Sequence, residues 1–216
     1  MLTLSNLGHR YRDTWLFRNI NLSIERPISV AVMGPSGSGK TTLLAITGGL
    51  TSPTEGIVVL ERSSSPGLSV SDKDAEPSIS WITQTFAAFP NRTVLENVTC
   101  PLMLSGMDCQ RARDLARYAI ESVSLEHVQD EHIRRLSGGE VQRTAIARAI
   151  AVAPTHILAD EPTSQLDATT THQVVRALVF DRPPESMIVL ATHDPEVASY
   201  CDRQFVLSSQ GLREAC

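Results

Sequence analysis

The sequence predicts an α/β fold with a largely parallel sheet, and three observations carry that expectation. Short segments that are apolar almost throughout recur along the chain, as strands covered on both faces do. One of them runs straight into a glycine-rich turn and then a helix. A block of helical periodicity, residues 85–153, interrupts the α/β alternation.

The elements follow in chain order. Residues Ile28–Met33 read as a buried strand that enters Gly34-Pro35-Ser36-Gly37-Ser38-Gly39, a turn that neither helix nor strand tolerates. Lys40–Thr47 then reads as a helix stopped by Gly48-Gly49. Further strands are expected at Ile57–Leu60, Ile79–Thr83, Thr155–Ala159, Met187–Ala191 and Gln204–Leu207. The Ser/Pro/Asp-rich stretch from Arg62 to Ser78 lacks periodicity and reads as an exposed loop. From Asp108, the residues Ala112, Leu115, Ala116, Ala119, Ile120 and Val123 recur at helical spacing. A second helix is expected from Gly139 to Val152, ending before Pro154.

Composition narrows the function. The 216 residues carry 19 Lys+Arg against 24 Asp+Glu, a net charge of −5, which argues against a nucleic-acid binder. Residues 85–153 hold eight Arg and eight Asp or Glu, so the helical block offers no basic stripe. The four cysteines form no C-x-x-C pair and read as reduced thiols. The N-terminal residues lack the pattern of a signal peptide. Apolar runs such as Ile188–Ala191 fall far short of a membrane span, so a membrane role would come through a partner.

Three motifs carry chemistry. Gly34 to Thr41 matches the phosphate-binding loop G-x-x-x-x-G-K-[ST]. Its glycines let backbone N–H groups turn inward toward phosphate oxygens, and the following helix adds its positive end. Lys40 is expected on the β- and γ-phosphates and the Thr41 hydroxyl on Mg²⁺. Lys40 is one of only two lysines among 19 basic residues, and a compact ammonium suits paired phosphates better than a guanidinium fork. Next, Ile157-Leu158-Ala159-Asp160-Glu161 delivers two carboxylates at the carboxyl end of a strand, where α/β sheets bind ligands. Asp160 suits the metal and Glu161 a water-polarising base, although an acidic pair there also reads as a solvated turn. Last, Leu136-Ser137-Gly138-Gly139-Glu140 opens a helix with a hydroxyl and free N–H groups, which reads equally as an anion site or an ordinary N-cap.

These three motifs, in this order and spacing, resemble the ATP-binding subunits of ABC transporters, and the resemblance covers residues 2–210. It implies a P-loop NTPase (RecA-like) core with a small antiparallel β subdomain and an inserted α-helical signature subdomain. The expected division is core residues 1–84 and 154–216 and helical residues 85–153, all one ABC ATPase domain. Three smaller motifs fall where that family has them. Gln84 resembles the Q-loop glutamine. Ser164-Gln165-Leu166-Asp167 resembles the D-loop, with Gln165 where Ala is commoner. His193 resembles the switch histidine. The bland alternatives are a strand-end polar residue, a helix cap at Asp167 and a surface turn residue. Tyr11, 23 residues before Gly34, stands where the family stacks an aromatic on adenine. A strand-core role for Tyr11, or stacking by Trp15 or Phe17, are the alternatives.

The resemblance implies two ATPs held between two head-to-tail subunits, a homodimer or a heterodimer with another ABC ATPase. Gly34, Pro35, Ser36, Gly37, Ser38, Gly39, Lys40, Thr41 and Thr42 would hold phosphates and metal. Thr41, Gln84 and Asp160 would complete the Mg²⁺ surroundings. Glu161 would act as base, Gln84 and His193 would assist catalysis, and Ser137, Gly138, Gly139 and Asp167 would act across the dimer. The segments Thr42–Gly56, Thr93–Leu102 and Asp160–Thr163 resemble the branch serving lipoprotein release and macrolide efflux, whereas residues 62–78 depart from it. Phe86, Phe89 and Leu102 either form a docking groove for the membrane subunit or belong to the core. The expected function is to hydrolyse ATP and power a separate integral membrane permease, in export or extrusion, from the cytoplasmic face. The alternative is force transmission to a membrane partner without transport. A soluble role in DNA repair or translation fits poorly with a single half, no coiled-coil insertion and net acidity.

Overall fold

The computed structural model describes residues 1–61, 78–83 and 88–215. It divides into two compact units: Met1–Ile79, Thr155–Asp160 and Pro184–Cys216 form the first, Ser80–Pro154 and Glu161–Pro183 the second. The loop expected from Arg62 to Ser78 falls outside the described residues except for Ser78.

The first unit begins with an antiparallel sheet. Strands β1 (Leu2–Tyr11) and β2 (Thr14–Ile24) pair across a tight turn, and β4 (Glu55–Leu60) pairs on the other side of β1. Alternation puts Leu2, Leu4, Leu7, Phe17, Ile20 and Ile24 in the core. Register slips between Leu4 and Leu7 and again before His9 bend the ribbon. Asn6 and Asn19 take left-handed conformations (φ 49° and 54°), which asparagine tolerates at bulges. Asn6 N–H donates to Asn21 Oδ1 at 2.9 Å, so the bulge keeps its hydrogen bond.

After the first two strands the chain enters the parallel sheet. Strand β3 (Ser29–Met33) lies between β7 (Met187–Thr192) and β8 (Arg203–Ser208), both parallel to it. Strand β6 (His156–Asp160) is parallel to β7, and β9 (Gly211–Glu214) closes the other edge antiparallel to β8. Every residue of β6 and β7 is buried, which explains the apolar runs Ile157–Ala159 and Met187–Ala191 within them. Buried Ser29 ties two strand starts together: its N–H and Oγ donate to Asp202 Oδ2 at 2.8 and 2.7 Å. Helix α1 (Lys40–Thr47) follows β3. The expected strand start at Thr155 moves to His156, because Thr155 N–H and Oγ1 instead donate to Ser78 Oγ and O. Strand β5 (Ile79–Ile82) begins where the chain leaves this unit.

The second unit is helical: α2 (Val94–Leu104), α3 (Cys109–Ser122), α4 (Gly138–Ala151) and α5 (Ala168–Val179). Their buried faces are rich in alanine and small β-branched residues, including Val94, Val98, Ala112, Ala116, Ala119, Ala145 and Ala149. Short side chains at helical spacing let helices approach closely. Fully buried Asn97 is satisfied locally, accepting from Phe89 N–H and donating to the Phe89 and Thr93 carbonyls. The helix expected at Gly139–Val152 is α4, one residue earlier at each end because Ser137 is its N-cap.

Candidate functional site

The first unit brings three strand ends to one edge. In register, Met33 lies opposite Thr192, and Asp160 opposite Ala191. The glycine-rich turn after β3, the carboxylate ending β6 and His193 after β7 therefore leave the sheet side by side. Ligands of open parallel sheets bind at such carboxyl ends.

At that edge the first turn of α1 differs from those of its peers. Its N-cap is Gly39, with no side chain capping it and no acidic residue in the turn. The other described α-helices, including α6 (Pro195–Ser199), all begin with a capping side chain: Thr93, Asp108, Ser137, Asp167 and Asp194. The N–H groups of α1 are thus left for an outside anion. Gly39 is required twice over. Its φ is +95°, and a Cβ there would stand 3.0 Å from the ring of buried Phe17. Lys40 is buried with its Nζ donating to Gly34 O at 2.8 Å and Pro35 O at 3.4 Å, so the ammonium lies over the loop. Pro35, Ser36 and Gly37 are exposed, and Thr42 is half-buried.

The Thr41 hydroxyl donates to Asp160 Oδ2 at 2.7 Å, across 119 residues of sequence. The other oxygen, Oδ1, is buried with no hydrogen-bond partner, and so is Ser38 Oγ. Buried unpaired oxygens are costly unless a ligand or water completes them. A hydroxyl beside one carboxylate, with phosphates supplying the rest, is the donor set of a magnesium nucleotide site. Among the described residues no three His, Cys, Asp or Glu side chains cluster as a self-sufficient metal site.

The chain passes from the first unit to the second between Asp160 and Glu161. Glu161 is half-buried and adopts φ 48°, a conformation non-glycine residues avoid and one often held at functional sites. His193 is exposed beside buried Thr192. Gln84 and Phe86 lie outside the described residues. Tyr11 is 65% exposed, which removes its strand-core alternative, whereas Phe17 is fully buried and Trp15 lies under the Arg18 guanidinium at 4.1 Å.

In the second unit Ser137 and Gly138 are exposed at the start of α4. A Cβ on Gly138 would meet Gln165 Oε1 at 3.1 Å and one on Gly139 would meet Leu166 Cδ2 at 3.2 Å, so the two loops touch. Asp167 caps α5, accepting from Thr170 N–H at 3.0 Å and Oγ1 at 2.6 Å. The Thr170 hydroxyl holds its carboxyl below the usual range. Glu140 completes the cap of α4, closing the capping box Ser137-x-x-Glu140 that is written in the sequence. A cleft of about 710 Å³ is lined by Phe89, Leu95, Cys100, Met103 and Leu104 among others. Phe89 is exposed there, whereas Leu102 is buried core, which settles the choice left open for Leu102. Among the described residues no helix is long and apolar enough to cross a membrane.

The ABC transporter family model matches residues 17–164. The lipoprotein-releasing system ATP-binding protein LolD of Blochmanniella floridana is 37% identical, over 99% of this chain and 94% of that protein. An uncharacterized ABC transporter ATP-binding protein of Bacillus subtilis, YvrO, is 36% identical over 94% and 91%. The dimeric bacterial ABC transporter cassette MJ0796 superposes with a TM-score of 0.83 at 34% identity, covering 100% of this chain and 98% of that one. A post-hydrolysis state of MJ0796, bound to ADP and Pi, gives 0.81 at 33% identity and the same coverage. With a phosphate loop, an acidic strand end and a signature turn on this fold, the chain belongs to the ABC transporter family, as an ATP-hydrolysing ATP-binding subunit.

Proposed function

We propose that this subunit powers a membrane complex of the lipoprotein-release type, working by extrusion from the cytoplasmic face as one half of an ATP-bridged dimer. The observation that carries the reading is the uncapped start of α1 with Thr41 hydrogen-bonded to Asp160 beside it. Near end-to-end similarity to a LolD protein supports the branch.

In this reading the loop Gly34–Gly39 wraps the phosphates, and Lys40 moves its ammonium from the Gly34 and Pro35 carbonyls onto them. Thr41, Asp160 and Gln84 would hold Mg²⁺, which would supply positive charge to the phosphates of the nucleotide. Thr42 adds a hydroxyl to the phosphate site. Glu161 accepts a proton from the attacking water, and His193 orients that water and the γ-phosphate. Tyr11 stacks on adenine. Ser137, Gly138 and Gly139 meet the γ-phosphate held by the partner subunit, with Asp167 contributing across the same interface. The whole chain acts as one ABC ATPase domain, residues 85–153 its helical subdomain. The cleft beside Phe89, Met103 and Leu104 receives a cytoplasmic segment of the permease.

The test is purification of the tagged chain from its native membrane. A permease with few spans and a large extracytoplasmic domain is expected, and ATP hydrolysis should be lost with Lys40→Ala. A many-span importer in its place would overturn the extrusion reading.

A further inference from the structure

The start of α4 already holds an anion of its own. Glu140 Oε2 accepts from Ser137 N–H at 2.8 Å and from the Ser137 hydroxyl at 2.6 Å. Glu140 N–H in turn donates to Ser137 Oγ at 3.4 Å, closing the capping box. The hydroxyl has one proton, and here it is committed to the carboxylate. Ser137 itself is exposed, and the Glu140 side chain is only 22% exposed, folded back over the helix end. Its second oxygen, Oε1, stands 3.9 Å from His127 Nε2.

We infer that Glu140 is a positioning residue that acts through Ser137, an internal carboxylate competing with the incoming γ-phosphate for the start of α4. This rests on the reading above that Ser137 meets the partner's nucleotide. A phosphate oxygen can take the Ser137 proton only if the hydroxyl turns away from Oε2. The arriving phosphate also meets a negative charge at a helix end whose partial charge Glu140 already balances. The capping box therefore keeps the signature turn ordered and self-satisfied in the free subunit and makes ATP-driven association easier to reverse. A glutamine at this position retains an acceptor for both Ser137 donors but removes the charge. A simple structural cap and a competing anion thus differ in sign: loss of a cap would weaken association, and loss of a competitor strengthens it.

The experiment titrates the full chain with Mg²⁺ and a non-hydrolysable ATP analogue and follows dimer formation by sedimentation. Glu140→Gln should lower the analogue concentration at half-dimerisation by about five-fold, the scale of removing one nearby like charge at a solvated site. The KM for ATP should fall with it, and kcat should change less. Glu121→Gln, which removes an equal charge from an exposed position of α3, should leave the midpoint unchanged. An unchanged or raised midpoint in Glu140→Gln, or equal tightening in Glu121→Gln, would overturn the inference. Ser137→Ala separates the two levels of the argument. If it does not weaken association, the role given to Ser137 across the dimer fails; if it does and Glu140→Gln does not tighten, only the part given to Glu140 fails.

Discussion

Glu161 stands one residue past the last position of β6, with its backbone at φ 48°. Strain of this kind collects at functional sites, which fits the part proposed for Glu161 as the base. Glu161→Gln keeps size and turn but removes the base. Turnover should fall by roughly 10²–10⁴-fold, with nucleotide still driving dimer formation. Steady-state hydrolysis and sedimentation measure the two, and near-normal turnover would sink the assignment. Lys40, Thr41 and Asp160 were legible one by one, because each belongs to a motif whose spacing reflects a single local turn. The bond between Thr41 and Asp160 was not, since 119 residues separate them and only the pairing of β6 with β7 and of β7 with β3 brings them together.

At the scale of elements, the way α1 begins sets it apart from the other described α-helices. Five described α-helices satisfy their first N–H groups with a neighbouring side chain, and α1 alone among the described α-helices does not. That contrast was readable in Gly39 against Thr93, Asp108, Ser137, Asp167 and Asp194, because capping is local chemistry. The anchoring of the sheet was not readable. Ser29 and Asp202 are 173 residues apart, yet three hydrogen bonds join the starts of β3 and β8. Asp202→Ala would leave two donors of fully buried Ser29 unpaired, at a cost of about 1–3 kcal/mol. The melting temperature should drop by several degrees, at roughly 2–4 °C per kcal/mol for a chain of this size. An unchanged melting curve would show that Asp202 does not anchor β3.

Across the whole molecule, one buried residue adds a pH dependence of its own to stability. Desolvation in β6 pushes the His156 imidazole down to about 4, and its Nε2 is buried without a partner. The unfolded chain takes up a proton at His156 near the ordinary value of 6.5. Between the two values the unfolded state binds more protons, so stability is full above about pH 6.5 and declines as pH falls toward 4. His156→Leu should flatten the urea midpoint across that window, and an equally steep decline in the variant would exclude His156 as its source.

The sequence by itself determined the α/β class, the phosphate loop, the acidic strand end, the signature turn and the family they imply. Each of these is a run of neighbouring residues whose geometry follows from backbone freedom, capping and periodicity. Tertiary structure alone decided that Tyr11 is exposed, that Leu102 is core, that Thr41 and Asp160 share a hydrogen bond and that Ser29 is tied to Asp202. Glu140 lies between the two cases. Its capping box is spelled out in neighbouring letters, but only the positions of the atoms show that its carboxylate holds the one proton Ser137 has to give.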